Sequence, residues 1–385
     1  MSETLNQQID NKNELLRLKQ LPEIEDYYTD EYNILHLTLA KCNISMANAI
    51  RRIILSEIPT AVIKTYPYKN KDIDIQINTS KLNNEILKQR LSCIPIHIKN
   101  LDILNTLTLE LDVINDTKGI LYVTTADIKI KDENGKYLSE NETRKIFPMN
   151  KKTKEFIIIN RLRPEISNDI PGEHVKFISK LSKGISKEHG GFNVVSTCSY
   201  RFTPDDKRIS ELILDKQISL NEEGKTDTEI KDIIQNWKNH DAKRVYIQDS
   251  YDFIIETVGV YTNEEILYKA IAILIQKFET IKENIKNNIY KFNEHTTTME
   301  NCVDIELKNE DYTTGKVIEY ILHEIYFQNE KILSYVGFIQ LHPHDDYSIL
   351  RLVFNNIDDF NTNNIKQLII NACNIANETF NNIHL

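Results

Sequence analysis

The segment Ser45–Ile63, SMANAIRRIILSEIPTAVI, carries the strongest structural signal in the chain. Its spacing predicts a helix over 45–57 that begins at a capping serine and ends before a proline, because proline cannot continue a helix. Apolar side chains cover one side of this helix and polar side chains cover the other. Leu55 lies on the polar side between Arg51 and Arg52. The segment therefore predicts a half-buried helix with a small amphipathic patch suited to docking another protein.

The composition limits the class of protein. The chain has 385 residues, which is room for two or three domains of roughly 100–200 residues each. Its formal net charge of −10 argues against a protein that mainly binds nucleic acid, because phosphate binding depends on an excess of lysine and arginine. Five dispersed cysteines without a CxxC pair disfavour a disulfide framework and a zinc knuckle, and they fit a reducing compartment. Since no run of about 18 apolar residues occurs, we expect a soluble intracellular protein with no membrane partner.

Hydrophobic periodicity divides the chain into elements. Apolar and polar residues alternate at 32–39, which is typical of a strand, and a short helix is predicted over Asn84–Leu91. Between about 100 and 248 the pattern changes to short alternating runs broken by turns. This region predicts a β-rich domain inserted into the first domain. Its last part, 203–248, is interpreted as an elaborated connection with one helix near Thr228–Trp237.

A similar order of elements returns near the end of the chain. Thr262 and Glu265 have the spacing of a capping box, which predicts the start of a long helix. A final unit follows as a strand, a helix over about Gly315–Phe327, strands, and a last helix from about Asn363. The order strand, helix, strands, helix thus occurs twice, and burying one helix pair against the other would cover both apolar faces. The candidate pairing residues are Ile50, Ile54, Leu267, Ile271, Leu274, Ile318, Ile321, Leu322, Leu368 and Ile369.

We therefore predict an α+β fold with two dimerisation modules, each a helix pair on an antiparallel sheet. The two modules are predicted to form an internal pseudo-dimer, and a β-rich domain is inserted in the first module. Exchange of modules between two chains is the alternative to pairing within one chain. The predicted boundaries are 1–30 for a flexible N-terminal arm, 31–98 plus 249–290 for the first module, 99–248 for the inserted domain and 300–385 for the second module.

The first module resembles a known family. The 45–63 segment is similar to the signature of the larger α-like subunit of archaeal and eukaryotic RNA polymerases. The stretch NEILKQRLSCIPI at 84–96 resembles the next element of that subunit, a short helix that leads into an RLxxIP strand. Within the insert, RLRP at 161–164 and KEHGGFNVV at 187–195 resemble two further stretches of that subunit. No proline follows Asn193, where the family often has one.

The second module carries a separate resemblance. EDYTTG at 310–315, followed by GFIQLHP at 337–343, is similar to the small α-like subunit, with Lys316 where that family often has asparagine. Gly315 is expected to permit a close approach at the start of its helix. These subunits are normally separate proteins that heterodimerise, and their fusion is similar to the arrangement in large DNA viruses, which implies the host cytoplasm and the virion as locations. The matches cover about 32–98, 155–202, 251–275 and 303–354.

The resemblance implies a non-catalytic assembly platform of DNA-directed RNA polymerase. It would dock the largest and second-largest subunits and small assembly subunits, and it would reach DNA and RNA only through the complex. No cofactor is implied; many relatives bind a metal through a cysteine cluster in the inserted domain, but this chain has only Cys198 there. The candidate subunit contacts are Arg51 and Arg52 with the neighbouring Leu55, toward the second-largest subunit, and Lys187, Glu188 and His189, toward the large subunits or a small assembly partner.

Several features of the sequence also fit a second interpretation. Arg51 and Arg52 also fit a solvated helix face, because exposed residues of this kind are common. The stretch His342–Asp346, HPHDD, supplies residue types that bind metals or transfer protons, although a polar loop explains it as well. The basic stretch Arg144–Lys154 fits either a solvated surface or a nucleic-acid contact. The corresponding alternative functions are a stand-alone adaptor that reuses the fold and an enzyme that acts through the histidine–aspartate loop.

Overall fold

The described residues form two compact units. The computed structural model of the chain describes residues 21–67, 72–167, 169–295 and 299–385. The first unit draws its described residues from 21–53, 198–255 and 271–385, and the second unit draws its described residues from 54–197 and 256–270. The predicted N-terminal arm lies outside the described residues up to residue 20. The predicted domain boundaries stay a prediction.

Strands and α-helices follow one another along the described chain, with two longer runs of strands, at 108–131 and 158–204, that no α-helix interrupts. The strands are β1 (Glu23–Thr29), β2 (Ile34–Ala40), β3 (Thr60–Val62), β4 (Ile73–Asn78), β5 (Thr108–Ile114), β6 (Leu121–Thr124), β7 (Lys129–Lys131), β8 (Ile158–Leu162), β9 (His174–Lys180), β10 (Ser182–Gly184), β11 (Val195–Pro204), β12 (Tyr246–Thr257), β13 (Lys291–His295), β14 (Cys302–Lys308), β15 (Leu333–Ile339) and β16 (Tyr347–Phe354). The α-helices are α1 (Ile44–Ser56), α2 (Asn84–Ser92), α3 (Glu140–Ile146), α4 (Asp206–Glu222), α5 (Asp227–Asn239), α6 (Asn263–Lys286), α7 (Tyr312–Leu322) and α8 (Thr362–Asn381).

Two four-stranded sheets lie mainly in the first unit. One has the strand order β1-β2-β12-β11, and the other has the order β13-β14-β16-β15 with antiparallel neighbours throughout. In β2, Leu35, Leu37 and Leu39 are buried and the residues between them are half-buried, because successive side chains of a strand point to opposite faces. The predicted α+β class with antiparallel sheets is therefore confirmed.

Long amphipathic helices cover the core of the first unit. From Ile271 onward, α6 buries Leu274, Phe278, Ile281 and Ile285, a spacing that keeps them on one helix face. In α8, ten of the 20 residues are buried, so half of that helix belongs to the core. All the candidate pairing residues predicted from the sequence are buried, with exposed fractions from 0% at Leu274 to 8% at Leu368.

The second unit has its own sheet and core. Its four-stranded sheet has the order β4-β9-β5-β7, with antiparallel neighbours, and two-stranded sheets pair β10 with β3 and β6 with β8. Leu111 lies directly opposite Phe177, and Leu109 lies opposite Ile130. These four side chains are buried in one continuous apolar cluster. The β-rich character predicted for this region is present, whereas its status as an insertion stays a prediction.

Helix α1 begins differently from the prediction. The helix starts at Ile44, and Asn43 is the residue that caps it: its side-chain oxygen accepts hydrogen bonds from the Ser45 backbone at 2.8 Å and the Ser45 hydroxyl at 2.7 Å. The prediction of Ser45 as the cap was wrong, because asparagine two residues earlier reaches the same orphan N–H groups. The end of the helix at Ser56, before Pro59, agrees with the prediction.

Three other predicted elements need correction. The helix predicted from Gly315 starts at Tyr312, because Asp311 caps it by accepting a hydrogen bond from the Thr313 backbone at 2.8 Å, and it continues as a π-helical turn over His323–Asn329. The connection at 203–248 holds two helices, α4 and α5, where one was predicted. The last part of the predicted flexible arm forms β1, which pairs with β2.

Candidate subunit interface

Arg51 lies half-buried on α1. Its Nε and Nη2 atoms donate to the Asn48 side-chain oxygen at 3.0 and 2.8 Å, one helical turn away. Burial raises the pKa of the Cys198 thiol to about 12, and the nearby positive charge of Arg51 opposes that rise. Within the described residues, no carboxylate forms an ion pair with Arg51. Arg51 therefore presents a guanidinium whose charge is not neutralised by the first unit, beside the half-buried Leu55.

Arg52 points instead toward the start of α7. Its Nε donates to the Thr313 hydroxyl at 2.8 Å, and its Nη2 lies 3.4 Å from a carboxylate oxygen of Asp311. The other Asp311 oxygen caps α7. The side chains of Arg52 and Asp311 are 36% and 22% exposed. Arg52, predicted as a contact to another subunit, thus binds the N-terminus of a helix 261 residues further along its own chain.

A second cation of the first unit approaches the neighbouring carboxylate. Lys277 of α6 lies 3.9 Å from a carboxylate oxygen of Glu310, whose side chain is 8% exposed. The same oxygen accepts a hydrogen bond from the buried Thr314 hydroxyl at 2.7 Å. The two acidic residues of the EDYTTG stretch therefore each face a cation from the earlier part of the chain.

Helices α6 and α8 make further contacts within the first unit. The rings of Phe278 and Phe380 are stacked with their centroids 6.0 Å apart. Asn377 donates to the Glu279 carboxylate at 2.5 Å, and Lys282 donates to the Asn374 side-chain oxygen at 2.8 Å. These contacts join the helix that follows β12 to the last helix of the chain.

Gly315 lies where α7 touches its sheet. A Cβ atom at this position would fall 2.0 Å from the Phe338 ring of β15, far inside van der Waals contact. Phe338 is itself 6% exposed, so the ring has little room to move away. The expected close approach at Gly315 is thus present, and an aromatic ring is what requires it.

The Lys187–His189 loop is engaged with its own unit. The Lys187 backbone donates to the Ser56 carbonyl at 2.8 Å, and its ammonium group lies 3.6 Å from the Glu57 carboxylate. Glu188 pairs with Lys64 at 2.9 Å. His189 accepts a hydrogen bond from the Gly191 backbone through Nδ1 at 3.1 Å and packs against the Phe192 ring. The loop is therefore held in one shape with its histidine exposed.

Sequence comparison decides the family. The profile of the RNA polymerase Rpb3/Rpb11 dimerisation domain matches residues 36–278 of the chain. The chain belongs to this family. The human DNA-directed RNA polymerases I and III subunit RPAC1 is 26% identical over 301 residues, which cover 66% of this chain and 82% of that protein.

Two other relatives extend the comparison. The DNA-directed RNA polymerase subunit Rpo3 of Methanosphaera stadtmanae is 26% identical over 253 residues, or 61% of this chain and 88% of that protein. A conjugation stage-specific protein of Tetrahymena thermophila is 26% identical over 302 residues, or 65% of this chain and 91% of that protein. The resemblance of the first module to larger α-like subunits is thereby confirmed, whereas the region from 300 to 385 lies outside the 36–278 match.

The histidine–aspartate loop is organised by its own backbone. The His344 backbone donates to His342 Nδ1 at 3.1 Å, and the Asp345 backbone donates to the His342 carbonyl at 3.0 Å. Among the described residues, no three histidine, cysteine, aspartate or glutamate side chains lie close enough together to hold a metal ion. In the same part of the chain, none of the helices has the length and apolar character needed to cross a membrane.

Sequence reasoning missed the residues that meet Arg52 and Lys277. Asp311 and Thr313 were noticed only as part of a motif, and Glu310 was not singled out. The available signal was an acidic pair directly before one helix and cations on the earlier helices of the chain. Without a distance, that signal does not say which cation meets which carboxylate.

Proposed function

We propose that this protein is a non-catalytic assembly subunit of DNA-directed RNA polymerase that carries both α-like modules in one chain. The family match over 36–278 and relatives named as polymerase subunits support the first module. The strand–helix–strands–helix order from β14 to α8 supports the second module. In this proposal the 99–248 region is the insertion that separates two parts of the first module.

The observation that carries the proposal is the set of contacts between α1 or α6 and the C-terminal region. Arg52 contacts Asp311 and Thr313, and Phe278 stacks on Phe380. Two α-like modules that pair within one chain would make such contacts, because their helix pairs bury one another's apolar faces. The internal pseudo-dimer is the interpretation that we propose for them.

The two proposed docking surfaces differ in whether their charged side chains form ion pairs within the described chain. Arg51 keeps an unneutralised guanidinium beside Leu55, and we propose this patch as the contact for the second-largest subunit. We propose the Lys187–His189 loop as a preformed contact for the large subunits or a small assembly subunit. The likeness to fused subunits of large DNA viruses leads us to propose the host cytoplasm and the virion as its locations.

The test is affinity purification of the tagged full-length chain from its native source, with mass spectrometry of the co-purifying proteins. Arg51→Glu is compared with wild type and with Lys118→Glu, a charge reversal on an exposed turn. We expect two very large polymerase chains with wild type and with Lys118→Glu, and their loss with Arg51→Glu. Charge reversal at an interface both removes an attraction and introduces a repulsion.

The possible results separate the function from the docking face. Retention of the large chains by Arg51→Glu would keep the proposed function but contradict the Arg51 contact. Wild-type protein that purifies without any polymerase chain would contradict the function and favour the stand-alone adaptor. Arg52→Glu is a separate variant, because its effect would combine docking with the contact to Asp311.

A further inference from the structure

We propose that a pocket in the second unit binds an acidic peptide segment of a partner protein through one large apolar side chain. The pocket has a volume of about 430 Å³ and lies between the short turn Thr125–Asp127, β7 and α3. It uses none of the candidate assembly residues. The proposal therefore goes beyond the proposed polymerase function and does not depend on it.

The floor of the pocket is apolar. Ile128 is 2% exposed and Phe147 is 3% exposed, and the half-buried Leu138 completes the apolar lining. An aliphatic or aromatic side chain inserted here would leave water for an apolar environment, which is the main source of affinity for an anchor residue. Thr125 also lines the pocket, and its buried hydroxyl has no hydrogen-bond partner within the described residues.

The rim of the pocket is basic. Lys129 and Arg144 are exposed at its edge, and Lys129 lies 6.0 Å from the ring centre of the exposed Tyr137. Arg144 pairs with Glu140, the carboxylate at the same edge. The charged side chains that line the pocket are thus two cations and one carboxylate, in a chain whose net charge is −10. Carboxylates that flank the anchor side chain therefore complement the charge of this surface.

The aromatic residues favour a peptide over single-stranded nucleic acid. Grooves for nucleic acid present several exposed rings on which successive bases stack. Here Phe147 is buried in the floor, Phe156 is half-buried beneath Arg144 and Tyr137 is the exposed ring at the rim. This arrangement offers one recess for a single side chain instead of a row of rings on which bases could stack.

The test measures binding of a fluorescent peptide, Gly-Asp-Asp-Phe-Asp-Asp-Gly, to the purified full-length chain by anisotropy. Two matched peptides replace the phenylalanine by alanine or the four aspartates by lysine. We expect saturable binding that weakens about ten- to hundredfold without the aromatic ring, the equivalent of burying one phenylalanine side chain. The lysine peptide is expected not to bind.

Variants of the chain locate the binding site. Ala126 is exposed at the pocket edge, so Ala126→Trp places a large side chain in the pocket from outside the core, and Ala272→Trp is the control at an exposed alanine of α6. Lys129→Glu is paired with Lys118→Glu. We expect Ala126→Trp and Lys129→Glu to lose at least tenfold in affinity and the controls to keep wild-type binding, while thermal unfolding checks that each variant is folded.

Three results would overturn the proposal. One is no saturable binding of the phenylalanine peptide up to about 1 mM, which is weaker than a specific anchor provides. Another is binding that Ala126→Trp leaves unchanged, because the peptide would then lie elsewhere. The third is a short single-stranded RNA that binds in place of the peptide and is lost in the same variants. None of these results bears on whether the chain purifies with polymerase subunits.

Discussion

Helices α1 and α7 occupy similar positions in their parts of the chain but carry opposite charges where they meet. The α1 side contributes Arg52, and α6 adds Lys277, whereas the start of α7 contributes Asp311 and Glu310. Cations of the earlier helices therefore face carboxylates of the later one. Opposite charges favour this contact between unlike helices, because like charges placed together repel each other.

The two ion pairs differ in their access to water. Arg52 and Asp311 are 36% and 22% exposed, whereas Lys277 and Glu310 are 20% and 8% exposed. Exposed pairs add little stability because water and salt screen them, while loss of one partner from a buried pair leaves an uncompensated charge. We expect the more buried pair to matter more, even though its atoms are farther apart.

The largest expected effect tests the packing of α7 against β15. Gly315→Ala places a methyl group against the Phe338 ring, and we expect a loss of about 3 kcal/mol in the free energy of unfolding. Helix propensity alone would favour alanine by about 1 kcal/mol, so the predicted sign is opposite to the local preference. Urea unfolding measures the change.

The matched control is Gly119→Ala, since no atom lies within 4 Å of the added methyl group. It should stay within about 0.5 kcal/mol of wild type. Adding Phe338→Leu to Gly315→Ala should cost less than the sum of the two single changes, because the smaller side chain relieves the overlap. A Gly315→Ala protein as stable as wild type would contradict the close approach.

The next effect tests the buried carboxylate. Glu310→Gln keeps an acceptor for the Thr314 hydroxyl but removes the charge that faces Lys277. We expect a loss of about 2 kcal/mol in urea unfolding, less than for a fully buried pair because Lys277 retains some contact with water. Glu222→Gln, on the exposed end of α4, is the control and should have almost no effect. Equal effects at the two positions would contradict a special role for Glu310.

A smaller effect tests the exposed pair by a double-mutant cycle. Arg52→Met keeps the apolar stem of the side chain, and Asp311→Asn keeps an oxygen that can cap α7. We expect each single change to cost about 1 kcal/mol and the coupling energy to be about 0.5 kcal/mol, after allowing for solvent screening. A coupling energy of zero would mean that Arg52 does not stabilise the protein through Asp311.

The smallest expected effect concerns Asp249, a carboxylate whose negative charge destabilises the folded protein, unlike the charges of Glu310 and Asp311. Burial, and then the nearby Glu324 carboxylate, raise the pKa of Asp249. A raised pKa in the folded state makes the ionised carboxyl destabilising at neutral pH, and that penalty disappears as the pH falls through the folded pKa toward the unfolded value. Asp249→Asn should therefore stabilise the protein by about 0.3 kcal/mol at pH 7; the effect is small because the side chain is only partly desolvated and water screens its charge.

Urea unfolding of wild type and Asp249→Asn at pH 7 and pH 4.5 checks the sign. The advantage of the variant should shrink at the lower pH, where the wild-type carboxyl takes up its proton. Asparagine also accepts the positive φ of 54° at this position, so the backbone introduces no new strain. An advantage that grows on acidification would contradict the raised pKa.

The sequence predicted elements whose cause is local. The alternation in β2, the Thr262–Glu265 capping box and the end of α1 before Pro59 depend on neighbouring residues, and all are present. Helix α4 was missed because none of its residues is fully buried, so its apolar residues lie among charged ones without a clean stripe. The cap of α1 was placed at Ser45 because serine and asparagine compete for the same role.

The candidate site depended on contacts between distant residues. Arg52 was predicted to be exposed for another subunit, because its position on the polar face of α1 is all that the local sequence reveals. Its partner Thr313 lies 261 positions away, and periodicity carries no information over that distance. Arg51, its neighbour, has no such partner in the described residues and keeps the outward role proposed for it.

The connection of α6 and α8 within one chain has a kinetic consequence. Residues 287–361 join the two helices, which meet through Phe278 and Phe380, so the helices are tethered. For tethered partners the effective concentration is set by the connection and does not fall when the protein is dilute. The contact can therefore form on a single newly made chain, before any second protein has been encountered.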